Sequence, residues 1–261
     1  MHSVVFGGFA SHELSNRIDH STPKVIITAS CGVEPSRIVP YRPILDDALR
    51  LSKHGVESVV VVQRRDVEEC ELGPLDADYD ELMKGAKPVE ALPLPSTHPH
   101  YILYTSGTTG LPKGVLRDTG GHATALKYSM NAFYSTRPGD VFWAASDIGW
   151  VVGHSYLIYG PLLHGCTTIM YEGKPIGTPD QGSFWRIIEE YKVKTMFTAP
   201  TAFRAIKQAD PHSEFAKKYN LESLENLFLA GEHSDPETIR WLERTLPHIL
   251  SPIDHWWQTE L

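Results

Sequence analysis

Eleven consecutive residues, Tyr104-Thr105-Ser106-Gly107-Thr108-Thr109-Gly110-Leu111-Pro112-Lys113-Gly114, bring together the groups that hold phosphate. Glycines at 107, 110 and 114 allow tight turns that aim backbone N–H groups inward, as an anion-binding nest requires. Thr105, Ser106, Thr108 and Thr109 add hydroxyl donors, and Lys113 adds a point charge suited to phosphate. The GxxxxGK[ST] spacing is absent, because Gly114 follows Lys113. A polar surface loop is the plainer reading of a generic Gly/Ser/Thr stretch. The full string, placed directly after a strand pattern, favours the phosphate role.

A second concentration of chemistry closes the chain: Asp254-His255-Trp256-Trp257-Gln258-Thr259-Glu260. By itself Glu260 would be a solvated charge. Core packing is the simpler reading of Trp256, and also of Trp143, Trp150 and Trp185. His98, His100 and His122 lack the compact Cys/His spacing of a zinc site and read as surface histidines.

Positioning these groups falls to an alternation of strands and helices. Strand patterns cover residues 24–29, 56–62, 101–105, 141–145, 167–171, 195–198, 226–229 and 253–257. Helical patterns cover 44–54, 119–134, 151–163, 184–191, a stretch after Pro200, and 236–246. Residues 64–99 are rich in Pro and acidic side chains and hold at most one short helix, near 79–84. Strands alternating with helices imply an α/β fold: a doubly wound, mostly parallel sheet with helices on both faces. The last strand has no crossover helix after it, so the pattern predicts a truncated domain with uncovered apolar surface.

Composition narrows the function further. The chain has 261 residues, is 41% apolar and 21% charged, and carries a formal charge of -8, which disfavours a nucleic-acid or anionic-membrane partner. Three scattered cysteines argue against a disulfide framework. No apolar run is long enough to span a bilayer, and residues 1–10 have neither a secretory nor a transit-peptide pattern.

Together these segments resemble the adenylate-forming superfamily of acyl-CoA synthetases, peptide-synthetase adenylation domains and luciferases. The eleven-residue string looks like its phosphate loop. Asp147-Ile148-Gly149-Trp150-Val151-Val152-Gly153-His154-Ser155-Tyr156 is similar to the short-chain synthetase segment that lines the carboxylate and CoA path. Gly231-Glu232-His233 stands where the family has a Gly-Glu-Pro purine turn, and residues 254–260 match its Asp-x-Trp-Trp-Gln-Thr-Glu segment. Val5-Phe6-Gly7-Gly8-Phe9 and Arg117-Asp118-Thr119-Gly120-Gly121-His122 look closest to the propionate-activating branch.

The resemblance implies a carboxylate attacking the α-phosphate of ATP, followed by displacement of AMP by the CoA thiol. It assigns Lys113, Thr259 and Glu260 to catalysis, with Glu260 on Mg²⁺. Thr105 to Gly110, Lys113, Gly231, Glu232, His233 and residues 254–259, from Asp254 and His255 to Thr259, would contact ATP. Val151, Val152, Ala230 and Trp257 would line the acyl pocket, and Val152 and Ile176 would contact CoA. The partners implied are small molecules, and the compartment implied is the mitochondrial matrix, with the cytoplasm as the alternative.

Departures from the family pattern refine the substrate. Val152 replaces a usual Thr and Ala230 a usual Val, which makes room for about one extra carbon and favours propionate over acetate. Ile176 replaces an Asn that contacts CoA, and His233 replaces the turn Pro. The family's ribose-binding Asp, hinge Arg residues and lysine-bearing C-terminal domain have no counterpart in residues 1–261. The competing expectations are therefore a catalytically silent product that at most binds nucleotide or a partner and, on a weaker match, a peptide-synthetase adenylation domain.

Overall fold

In the computed structural model, which describes residues 1–105 and 112–260, the chain divides into two units, Met1–Arg117 and Asp118–Leu261. The first unit opens with helix α1 (Ser11–Ser21), strand β1 (Val25–Ala29) and the antiparallel pair β2 (Cys31–Glu34) and β3 (Arg37–Pro40). Helix α2 (Arg42–Leu51), strands β4 (Ser58–Val62) and β5 (Asp76–Asp78) and helix α3 (Tyr79–Lys84) follow. The paired strands β6 (Pro99–Thr105) and β7 (Lys113–Asp118) come last. Strands β1, β4 and β5 form a parallel sheet whose buried residues Val59 and Val61 pack with Leu45, Leu49 and Leu14. The other face of β1 is open, with Ile27 70% exposed.

Five elements of this unit, α1, β2, β3, β5 and β7, lie outside the expected ones, and two of them escape a hydrophobicity reading for identifiable reasons. Helix α1 buries Arg17, whose guanidinium bonds Glu13 at 2.7 Å and lies 4.3 Å from the centroid of the Phe9 ring. A charged side chain thus occupies a core-facing position where the pattern would need an apolar one. Strand β5 is Asp-Ala-Asp, which has poor strand propensity; pairing with β4 and an ion pair between Asp76 and Arg42 hold it.

The second unit begins with α4 (Thr119–Ala132) and β8 (Val141–Ala145). A helix then runs from Val151 through a π-helical stretch, Gly153–Tyr159, into α5 (Gly160–His164). Next are β9 (Thr167–Thr168), α6 (Ser183–Tyr191), β10 (Thr195–Thr198), α7 (Pro200–Ala209), β11 (Asn226–Leu229), α8 (Pro236–Thr245) and β12 (Ile253–Asp254). The five strands form one parallel sheet in the order β12-β11-β10-β8-β9.

Period-two alternation assigns the faces. Trp143, Met196, Leu227 and Leu229 join Phe184, Trp185, Phe203, Ile206, Trp241 and Leu242 from α6, α7 and α8. Phe142, Ala144, Phe197, Phe228 and Ala230 join Leu126 and Met130 of α4 with Tyr156 and Leu157 of the π segment. The expected α/β architecture with helices on both faces is therefore present in this unit.

Some expected boundaries move. β9 stops at Thr168, after which Ile169 and Tyr171 pack on the core without continuing the ladder. β12 stops at Asp254, and the chain turns outward past His255. Trp143 and Trp185 are core residues as expected, but Trp150 is 47% exposed, so core packing is the wrong reading for it. It sits in the turn that starts the Val151 helix, where its N–H bonds Asp147 O at 3.1 Å. His98, His100 and His122 are partly exposed.

The contrast between a buried and an open position makes a direct stability test. Phe203 is fully buried and stacks on Trp185 at 5.7 Å, so Phe203→Ala should cost about 3–5 kcal/mol in urea unfolding. Ile27→Ala on the open face should change stability by about 0.5 kcal/mol or less. Equal losses would contradict the burial assignment.

Candidate active site

In an open parallel sheet, ligands bind beyond the carboxyl ends of the strands, where the order of the strands reverses. Here β8 leads to β9 on one side, whereas β10 and β11 lead the other way, so the reversal falls between β8 and β10. The segments leaving these ends are the ones singled out by sequence: Ser146 to Val152 after β8, Ala230 to Ser234 after β11, and His255 to Glu260 after β12.

Val152, Ala230 and Trp257, expected to line an acyl pocket, pack in a single cluster with Tyr156 and Phe197. Ala230 is 4% exposed, and the Trp257 ring lies 5.2 Å from Tyr156 and 6.0 Å from Phe197. Val151 is buried at the start of the helix but is not part of that cluster. The π-helical stretch sets the placement of Tyr156. Gly160 N–H bonds Ser155 O, five residues back, and a Cβ at Gly160 would lie 2.7 Å from that oxygen. Gly153 is more constrained still, since its Cβ would meet Asp147 O at 2.1 Å.

The Gly231-Glu232-His233 turn is exposed and tied at both ends. Gly231 has φ +102°, a conformation that favours glycine. Glu232 pairs with Arg204 of α7. His233 Nδ1 lies 2.9 Å from Asp254 Oδ2, and the same carboxylate oxygen accepts from Ser234 N–H at 3.0 Å. The replacement of proline, expected to loosen the turn, is thus matched by a ring-to-carboxylate contact.

His255 is placed differently from its neighbours. Its backbone N–H donates to Leu229 O at 3.0 Å, its ring Nδ1 bonds the same oxygen at 2.8 Å, and its Nε2 lies 3.4 Å from the Tyr134 hydroxyl. Both ring nitrogens are thus engaged inside the fold, an arrangement that fits scaffold more than nucleotide contact. Trp256 is 75% exposed, which corrects the core-packing reading for it. Gln258 and Glu260 are exposed and Thr259 is half-buried. Glu260 carries a carboxylate, the ligand type that Mg²⁺ takes once or twice while completing its shell with water and substrate phosphate.

Thr105 ends β6 and Lys113 begins β7, with the lysine exposed. Ser106, Gly107, Thr108, Thr109 and Gly110 lie outside the described residues. Ile176 is 36% exposed in the connection between β9 and α6 and does not join the cluster of Val152, Ala230 and Trp257. Tyr134 is absent from the motifs, although its buried ring touches Tyr156, Phe197, Phe228 and His255. Its only sequence signal was a place at the end of a predicted helix.

The sequence model described as AMP-binding enzyme matches residues 1–261. This chain belongs to the AMP-binding enzyme family. It is 53% identical over 261 residues to the Homo sapiens protein "Acyl-CoA synthetase short-chain family member 3, mitochondrial", covering 100% of this chain and 38% of that protein. It is 47% identical over 263 residues to "Propionate–CoA ligase" of Escherichia coli K12, covering 100% of this chain and 41% of that one. "Acyl-CoA synthetase short-chain family member B, mitochondrial" of Dictyostelium discoideum is 46% identical over 267 residues, covering 99% of this chain and 38% of that protein. The chain spans about two fifths of the length of these relatives. Among the described residues, no helix is long and apolar enough to cross a membrane.

Burial holds the His255 imidazole below the ordinary histidine value of 6.5, against the opposing pull of Leu229 O and Asp254. The unfolded chain therefore takes up a proton that the folded chain refuses. The His255 contribution to stability is fully present above about pH 6.5 and declines as pH falls below it. Urea midpoints at about pH 7.5 and about pH 5.5 should drop more on acidification in the wild type than in His255→Asn. An equal or smaller drop in the wild type would contradict this linkage.

Proposed function

We propose that this chain carries the adenylating site of a short-chain acyl-CoA synthetase that prefers propionate to acetate. The observation that carries the reading is the convergence of Val152, Ala230 and Trp257 in one cluster at the carboxyl edge of the parallel sheet, next to the Gly231 turn. The names of the relatives, which include a propionate–CoA ligase and short-chain acyl-CoA synthetases, support it. Residues 1–261 make up part of the adenylating domain. The mitochondrial matrix is the proposed compartment, in keeping with the word mitochondrial in the names of the human and Dictyostelium relatives. Small molecules are the proposed partners, and the formal charge of -8 speaks against nucleic acid.

Adenylation needs positioning and charge neutralisation more than covalent help from the protein. The carboxylate oxygen attacks the α-phosphorus of ATP and pyrophosphate leaves; the CoA thiol then attacks the acyl carbonyl and AMP leaves. Lys113, with the loop from Thr105 to Gly110, holds the β- and γ-phosphates, and Thr259 donates to the α-phosphate. Gly231, Glu232, His233 and Asp254 frame the adenosine, flanked by Trp256 and Gln258. Glu260 would hold Mg²⁺, which would supply neutralisation of phosphate charge. Val151 and Val152 form the near wall of the acyl pocket, Ala230 leaves room for the third carbon, and Trp257 closes the far end. Val152 and Ile176 give the CoA path an apolar lining.

The protein carrying this chain should form propionyl-CoA from propionate, ATP and CoA. Ala230→Val adds two methyl groups beside the third carbon, so kcat/KM for propionate should fall roughly 10–200-fold while acetate changes little. Lys113→Ala should instead weaken acetate, propionate and butyrate together, because it acts on the phosphates common to all three. A parallel fall of the three acids in Ala230→Val would remove the support for propionate. Nucleotide binding with no turnover of any acid would favour the catalytically silent reading.

A further inference from the structure

Trp257 can only define an acyl-chain length if something fixes its distance from Ala230. The two-residue strand β12 ends three residues earlier, at Asp254, and Trp256 between them is exposed, so the sheet ladder does not reach it. The next attachment after β12 is His255. Its backbone N–H and ring Nδ1 both bond the carbonyl of Leu229, the residue immediately before Ala230. Because Nδ1 must be protonated to donate to that oxygen, Nε2 is left as an acceptor. It faces the Tyr134 hydroxyl at 3.4 Å, and burial keeps that phenol protonated by pushing its pKa far above the ordinary range.

Tyr134 is itself held firmly. Its N–H bonds Ser129 O at 3.1 Å, and its carbonyl accepts from Thr195 Oγ1 of β10 at 3.2 Å. Its ring lies 4.6 Å from Tyr156, the residue on which Trp257 packs. The His255 ring is also 5.0 Å from Phe197 and 5.7 Å from Phe228. One imidazole thus links the end of the strand that precedes Ala230, the segment after α4 that holds Tyr134 and the aromatic cluster that receives Trp257.

We propose that His255 is a positioning residue: clamped between Leu229 and Tyr134, it sets the position of Trp257 relative to Ala230 and thereby the acyl-chain length that the pocket accepts. This rests on the acyl-pocket reading above and gives His255 a role different from nucleotide contact.

Three variants separate the parts of the clamp. His255→Ala removes both ring bonds and keeps the backbone bond to Leu229. His255→Asn places an amide N–H where Nδ1 was and keeps the Leu229 link. Tyr134→Phe removes the hydroxyl alone. The first readout is ¹⁹F NMR of the chain labelled with 5-fluorotryptophan, whose Trp257 signal is assigned among six tryptophans by Trp257→Phe. The Trp257 signal should shift and broaden in His255→Ala and change to an intermediate degree in both His255→Asn and Tyr134→Phe, each of which keeps the Leu229 link and loses the Tyr134 one.

The second readout is kcat/KM for acetate, propionate and butyrate in the protein carrying this chain. His255→Ala should change the propionate-to-butyrate ratio about 10-fold with KM for ATP within about 3-fold, and His255→Asn should restore part of the ratio. An unmoved Trp257 signal in His255→Ala overturns the clamp. An active enzyme whose three acids fall in parallel, or whose KM for ATP moves more than its acid preference, overturns the specificity role alone. A wild type inactive on every acid overturns the pocket reading itself, and the chain-length role with it.

Discussion

Strand β10 is paired in parallel on both sides, to β8 through Thr195–Phe142 to Thr198–Ala145 and to β11 through Thr195–Asn226 to Thr198–Leu229. All four of its residues are buried. Such a strand has no solvent-facing side, so each face needs its own helical layer. Met196 takes the side of α6, α7 and α8, while Phe197 takes the side of α4 and the π-helical stretch. The two threonines are accommodated because Thr195 Oγ1 donates to Tyr134 O and Thr198 Oγ1 to Ala145 O. A one-residue slip of this strand would exchange the two cores and carry every neighbouring loop with it.

The candidate site is a consequence of that pairing. Once β8, β10 and β11 are in register, their carboxyl ends deliver Val152, Phe197 and Ala230 to the same layer. Short-range devices then refine the placement. Asp118 caps α4 by accepting from His122 N–H, and a Cβ at Gly121 would crowd that carboxylate at 2.8 Å. The π-helical stretch and its two crowded glycines turn Tyr156 toward the cluster. Asp254 and His255 then fasten the last segment to the Gly231 turn and to Leu229.

Most of the architecture was legible because buried parallel strands read as short apolar runs between amphipathic helices, as in residues 141–145 and 226–229. The residues proposed for the acyl pocket were legible only through their resemblance to family segments, since an alanine and two valines carry no chemical signal of their own. Elements held by polar contacts were hidden: α1 by its buried Arg17, β5 by its aspartates. Trp150 and Trp256 were misread because residue type sets only an average burial, and the local turns face them outward. Tyr134 and the internal bonding of His255 had no signature, because 121 residues separate the two partners.

The most direct measurement is a crystal structure of the protein carrying this chain with the propyl ester of AMP, which joins a propyl group to the nucleotide phosphate. The account predicts that the terminal propyl carbon lies within about 4 Å of both Ala230 Cβ and the Trp257 ring, with the adenosine against the Gly231 turn. A propyl group lodged away from Ala230, Val152 and Trp257 while the nucleotide is bound would contradict the assignment of the acyl pocket.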